Sequence, residues 1–264
     1  MLMKKIAYLL AGMTMAAWIS GCSTPEIVTE DVGATYSAAF YEGGKDSLVM
    51  EISLEWPVSG LPAVAMENIQ KGLISNIFGK DYSALGIEQA IGRYLQEETE
   101  TYRSNSSDFM KMIQKNEDDI MTGMFSWVET SDGEFLPPYM NMQSYILSTY
   151  DYTGGAHGID AEKGMTFDLS KGKQLKEDDL FVREYKPELS RILSANMKKS
   201  LDEEIYGMLF ITEIEPNGNF YVSDEGVTYI YNRYEIGPYV SGIVRVTVPL
   251  EEVKDILRYD LPEY

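Results

Sequence analysis

Two residue types that most often carry chemistry are nearly missing from this chain of 264 residues, which has one cysteine, Cys22, and one histidine, His157. A single cysteine excludes an internal disulfide. A metal-dependent deacetylase centre needs two histidines and an aspartate on the metal, so one histidine excludes that site. A Ser–His–acid triad would have to use His157, and no Gly-x-Ser-x-Gly elbow occurs. No Asp-x-Asp-x-Asp-Gly loop signals calcium, so no metal and no cofactor are expected. Positive charge is scarce too: 22 Lys and Arg stand against 42 Asp and Glu, a net charge of −20. Such a chain repels nucleic acid and anionic headgroups, and a protein drawn to it by its field would be basic. Internal repeats and low-complexity tracts are also absent.

What is present begins with an address. Lys4 and Lys5 precede an apolar run, Ile6–Trp18, that has signal-peptide length and is too short to span a bilayer. It ends in Ile19-Ser20-Gly21-Cys22, which resembles a bacterial lipobox, whose cysteine is acylated and becomes the new N-terminus. The expectation is a signal peptide over residues 1–21 and a palmitate-type lipid anchor on Cys22. Loss of Lys4 and Lys5 would take the mature charge from −20 to −22. Ser23 follows the cysteine where an aspartate would favour the inner membrane, so the expected place is the outer membrane, facing periplasm or cell surface. Residues 22–35 are polar and read as a tether.

The rest reads as α+β, with mainly antiparallel sheets packed against a few helices. An N-terminal companion region over 36–130 and a C-terminal domain over 131–264 are expected. Ser47–Trp56 alternates apolar and polar residues as a half-buried strand does. Pro62–Phe78 carries Met66, Ile69, Leu73, Ile74 and Ile77 on one helical stripe, with Gly79 as a C-terminal cap. A second helix is expected over Ser83–Tyr102, and a loop or frayed helix end over Ser104–Asn116. Strands follow at Met121–Val128 and Met140–Tyr152, separated by a turn around Asp132–Pro138. Gly164–Leu169 is another strand, ending in a turn at Ser170–Lys173. Lys176–Phe181 reads as a helical turn and Pro187–Ser200 as a helix. Asn217–Val222, Val227–Tyr231 and Gly242–Val248 read as strands before a short terminal helix.

The stretch around which these elements are arranged is Tyr150–Asp160, YDYTGGAHGID. Its glycines permit positive φ and close backbone approach, so it reads as a shaped loop with one imidazole at its tip. His157 either pins the loop, with Asp151 or Asp160 as a partner, or lines a ligand groove beside Tyr150 and Tyr152. Tyrosines cluster at 145–152 and 229–239. Tyr150, Tyr152, His157, Tyr231 and Tyr234 are the candidate ligand-binding residues, and no catalytic residue is assigned. Exposed tyrosines stack on sugar rings or anchor protein partners; buried ones are core.

The string Tyr152-Thr153-Gly154-Gly155-Ala156-His157-Gly158, with Thr166-Phe167-Asp168, Gly172-Lys173 and Leu180-Phe181, resembles one family of bacterial envelope domains. So do Gly226, Tyr231, Tyr234-Glu235-Ile236-Gly237-Pro238-Tyr239 and Gly242 with its Val-rich strand. That uncharacterised domain accompanies the catalytic module of PdaC-type peptidoglycan deacetylases and forms the extracellular part of the lysozyme-sensing anti-sigma factor RsiV. The resemblance runs from about Ser47 to the C-terminus. It implies an α+β fold and a role in binding or sensing at the cell envelope. With neither a deacetylase module nor a transmembrane helix in the sequence, the expectation is the bare domain on a lipid anchor. Its partners would be peptidoglycan fragments or a basic wall-active protein such as lysozyme. The alternative is an enzyme acting on glycan or peptidoglycan through paired carboxylates.

Overall fold

The computed structural model describes residues 26–40, 46–113 and 125–258. The signal peptide and Cys22 lie outside them. The first two strands, β1 (Val28–Ala39) and β2 (Ser47–Ser59), pair antiparallel along nearly their whole length. Two helices follow, α1 (Ala63–Ile77) and α2 (Ile87–Ile113). They carry the chain across the sheet to β3 (Trp127–Phe135), which pairs parallel with β2. Parallel pairing requires such a crossover, since a tight turn can only reverse direction. Strands β4 (Met142–Tyr152), β5 (Ile159–Asp168) and the short β6 (Lys173–Gln174) then add antiparallel, completing a six-stranded sheet in sequence order.

A second lobe follows. Its helices are α3 (Glu177–Leu180), α4 (Lys186–Ser200), α5 (Glu203–Met208) and α6 (Leu250–Val253). Its three-stranded antiparallel sheet is β7 (Phe220–Ser223), β8 (Gly226–Tyr231) and β9 (Val244–Val248). The α+β class with mainly antiparallel sheets therefore holds.

Each sheet has its own apolar core. Leu48, Met50, Ile52 and Leu54 of β2 face Ile69, Leu73 and Ile74 of α1 and Ile91 and Leu95 of α2. Around the smaller sheet, Leu189, Ile192, Leu193 and Met197 of α4 close on Val227, Tyr229, Val244 and Val246. Met142 of β4 reaches into the core of the smaller lobe, and around it the two lobes meet through polar groups. Ser144 Oγ donates to the Val222 carbonyl at 2.7 Å, while Val222 N–H donates to Ser144 and Thr166 at 3.1 Å each. Asn219 and Asn232 serve the free edge of β5. Their Oδ1 atoms accept from Gly164 and Glu162 N–H at 2.8 Å, and both amides donate to the Glu162 carbonyl. Side-chain amides thus stand in for the missing neighbouring strand and cap an edge that would otherwise be exposed for pairing.

Several expectations need correction. From Val28 onward the expected tether is strand β1. Its inward residues are Ala34, Tyr36 and Ala38, so small side chains hid the alternation. The expected division at 130/131 falls inside β3, whose neighbours on either side come from the two halves. The turn expected at Asp132–Pro138 begins later, because Asp132–Phe135 still pair with Tyr145–Ser148. Gly133 marks no turn there: a Cβ on it would lie 2.1 Å from the Tyr145 hydroxyl, so the glycine makes room for that ring. Of the two readings of Ser104–Asn116, loop or helix end, the chain takes the helix end as far as Ile113, since extending an existing helix is far easier than starting one. The strand β5 starts five residues earlier than Gly164, which shortens the central loop to Thr153–Gly158.

Candidate functional site

Four of the five candidate residues gather at one corner. Tyr150 and Tyr152 end β4, the loop follows, and β5 returns with Asp151 opposite Ile159 and Tyr150 opposite Asp160. Gly154 and Gly155 both have φ of 99°, a conformation that side chains with a Cβ disfavour. The Tyr152 hydroxyl donates to the Gly155 carbonyl at 3.1 Å and braces the turn. The Tyr150 ring lies across Gly158, where a Cβ would sit 2.4 Å from its Cζ. Any larger residue there would push Tyr150 away.

His157 is exposed, with Nδ1 3.1 Å from the Gly158 carbonyl. Neither Asp151 nor Asp160 partners it. Instead its ring stacks on Tyr239, the centroids 4.0 Å apart and the planes 30° from parallel. The Tyr239 hydroxyl donates to the Gly158 carbonyl at 3.0 Å, fastening the loop to the smaller lobe. Arg233 lies over the Tyr239 ring, its guanidinium carbon 4.2 Å from the ring centroid. The same guanidinium forms a forked ion pair with Asp160 and donates to the Tyr239 carbonyl. Hydrogen bonding from Arg233 holds the Asp160 carboxyl below the usual range.

Tyr234 completes the corner. It is 52% exposed, 6.0 Å from Tyr239 between centroids, and held at φ 68°. A tyrosine in the left-handed region is strained by about 1–3 kcal/mol, and such residues concentrate at ligand-contacting surfaces. Tyr231, the fifth candidate, does not belong here. It is 3% exposed in the core of the smaller lobe, its hydroxyl donating to the Glu215 carbonyl at 2.8 Å. Its alternation with Tyr229 marked a strand that is buried on both faces. Nothing in the sequence links Arg233 or Tyr239 to the loop they hold, because they lie more than seventy residues from it. The signals present were the run of tyrosines around them and the Tyr234–Tyr239 string.

Among the described residues no group of His, Cys, Asp and Glu is arranged to hold a metal. One carboxylate pair is chemically distinctive. Glu129 and Asp151 lie directly opposite on β3 and β4. Glu129 is 9% exposed and accepts from the Tyr94 hydroxyl at 3.2 Å. Burial, then the nearby Glu98, push its pKa up to about 7, and loss of water raises Asp151 as well.

With this geometry in hand, the relatives can be placed. A stretch of 119 residues, 43% of this chain, is 26% identical to peptidoglycan-N-acetylmuramic acid deacetylase PdaC of Bacillus subtilis (strain 168). The match spans 26% of that relative's length. The crystal structure of a DUF3298-family member from Bacteroides fragilis superposes with a TM-score of 0.80 at 25% identity, covering 89% of this chain and 95% of that one. A DUF3298-family protein from Pseudomonas aeruginosa PAO1 shares the fold at a TM-score of 0.60 and 13% identity, over 89% of this chain and 96% of the other. The family model described as protein of unknown function (DUF3298) matches residues 178–251, a stretch of the smaller lobe that includes Arg233, Tyr234 and Tyr239.

Proposed function

We propose that this is a non-catalytic cell-envelope lipoprotein, anchored through Cys22 at the outer membrane, whose aromatic corner binds a cell-wall-related ligand. The observation that carries this reading is the exposed His157–Tyr239 stack flanked by Tyr150 and Tyr234, with Tyr234 held in a strained conformation. Rigid aromatics with little rotamer entropy to lose are suited to sugar rings and to protein anchors alike. The PdaC similarity supports a wall-related role. Two ligands fit: a peptidoglycan fragment, and a basic wall-active protein such as lysozyme drawn in by the acidic surface.

Pull-down of lysozyme and of peptidoglycan by wild type, His157→Ala and Tyr234→Ala, over a salt series, tests the reading. Both variants should keep the melting temperature within about 2 °C, since each side chain is exposed, and lose most of the binding. Steep weakening with salt identifies the basic protein; indifference to salt identifies sugar stacking. Binding that survives both substitutions refutes the corner as the site. Acyl-chain labelling that persists in Cys22→Ser would refute the anchor.

A second reading, hydrolysis of glycan by paired carboxylates, rests on Glu129 and Asp151, because a raised carboxyl beside another acid is the arrangement of a general acid. It requires that purified protein generate new reducing ends from peptidoglycan and that Glu129→Gln abolish them.

A further inference from the structure

A groove of about 490 Å³ lies along the free edge of β5, lined by none of the aromatic residues of the corner. Its size is within the range of ~300–1,000 Å³ typical of small-molecule sites. The end of α1 supplies Asn76 and Ile77, β4 and β5 supply Leu147 and Lys163, β6 supplies Gln174, and Gly218 lines the opposite wall. Gly218 has φ of 77° and nothing within 4 Å of its Cβ position, so that wall presents bare backbone.

The charges along β5 make Lys163 unusual. Asp160 is paired with Arg233, and Glu162 with Arg245. Lys163, next after Glu162 and so on the alternate face, has no ion pair or hydrogen bond among the described residues. In a protein of net charge −20 an unpaired lysine in a concavity is the exception. Its side chain is exposed at the mouth of the groove, and the walls still remove enough water to lower its pKa. Next to it, Asn76 Nδ2 donates to the Gly72 carbonyl at 2.7 Å and to Gln174 Oε1 at 2.8 Å. Those bonds fix both amides and leave Asn76 Oδ1 as an acceptor and Gln174 Nε2 as a donor. A fixed donor and acceptor side by side match a secondary amide, which offers one C=O and one N–H.

We propose that this groove is a second binding site, distinct from the aromatic corner, for a small N-acylated carboxylate. The carboxylate pairs with Lys163, the acyl amide with the Asn76–Gln174 couple, and the apolar part with Ile77 and Leu147. One lysine balances one negative charge. A phosphate dianion would leave a charge uncompensated in an acidic protein, so the site prefers the monoanion. The same chemistry occurs in N-acylated sugar acids and in N-acylated amino acids.

Isothermal titration of the full chain with N-acetylmuramic acid, N-acetylalanine, N-acetylglucosamine and inorganic phosphate tests this. At least one of the two carboxylates should bind, and which one does assigns the source of the ligand. Lys163→Gln should weaken that binding by about tenfold or more, or ~1.4 kcal/mol, without moving the thermal melt. N-acetylglucosamine, which keeps the amide and lacks the acid, and phosphate should each bind at least as much more weakly. Tyr234→Ala should leave titration unchanged, which separates a failure of this site from a failure of the corner. The proposal is overturned if neither carboxylate binds up to about 10 mM, a threshold corresponding to only ~2.7 kcal/mol. Equal binding to Lys163→Gln, to N-acetylglucosamine or to phosphate overturns it as well, as does loss of binding in Tyr234→Ala.

Discussion

Around the six-stranded sheet, Leu48, Leu54, Ile69 and Leu73 close a core with almost no solvent exposure. Around the three-stranded sheet, Leu189, Leu193, Val246 and Val248 do the same. Where the lobes touch, the chemistry changes: Ser144, Thr166, Asn219 and Asn232 meet backbone groups of the opposite lobe or its edge strand. Apolar packing supplies the larger share of stability and tolerates many arrangements; directional hydrogen bonds permit few. The contrast teaches that each core makes a lobe stable, and the seam sets how the lobes align. Alignment matters because the aromatic corner is built across it, His157 from one lobe stacking on Tyr239 from the other.

The comparison is broken most severely in the cores. Leu73→Ala and Leu193→Ala remove side chains with 0% exposure on either side of the seam. Each should cost about 2–5 kcal/mol in denaturant unfolding. If the seam couples the lobes, both variants unfold in one transition; two separated transitions would show that each lobe melts alone.

Smaller, and aimed at the seam itself, is Ser144→Ala. It leaves the Val222 carbonyl without its 2.7 Å donor inside the interface. The expected cost is about 1–3 kcal/mol, with loss of ligand binding at the corner beyond what the unfolded fraction explains. Loss of stability with binding intact in the folded fraction would mean that the seam does not set the alignment.

A pH-dependent effect concerns Glu129, a buried acid at the rim of the larger core. Glu129, facing Tyr94 and Glu98 of α2 and Asp151 of β4, has its pKa raised to about 7 by burial first. Folded protein therefore holds the proton more tightly than the unfolded chain. The stability this confers is fully present below the unfolded value of 4.5 and is lost as pH rises through about 7. Unfolding free energy should fall as pH rises across that window, and Glu129→Gln should flatten the profile. An unchanged slope in the variant would assign the pH dependence to other groups. The smaller lobe offers no comparably raised carboxylate among the described residues, which sharpens the contrast between the two cores.

The sequence alone determined those elements whose side chains report burial by period. The stripe of Met66, Ile69, Leu73 and Ile74 specified α1, and the alternation of Leu48, Met50, Ile52 and Leu54 specified β2. The glycines of Thr153–Gly158 marked a shaped loop, since positive φ is a local demand that a single residue type answers. Only the tertiary structure decided the rest. β1 buries alanines, whose weak apolar signal reads as a polar tether until β2 lies beside it. Gly133 reads as a turn until the Tyr145 hydroxyl occupies its space. Tyr231 and Tyr234 are the same residue type three positions apart; one is core and the other surface because β8 ends between them. The partners of His157 and Asp160 come from residues 233 and 239, and the groove from α1, β5, β6 and the loop at 217–219. Periodicity records which way a side chain points along its own element. It carries no record of which distant element arrives there, because that is fixed by closure of the whole chain around its cores.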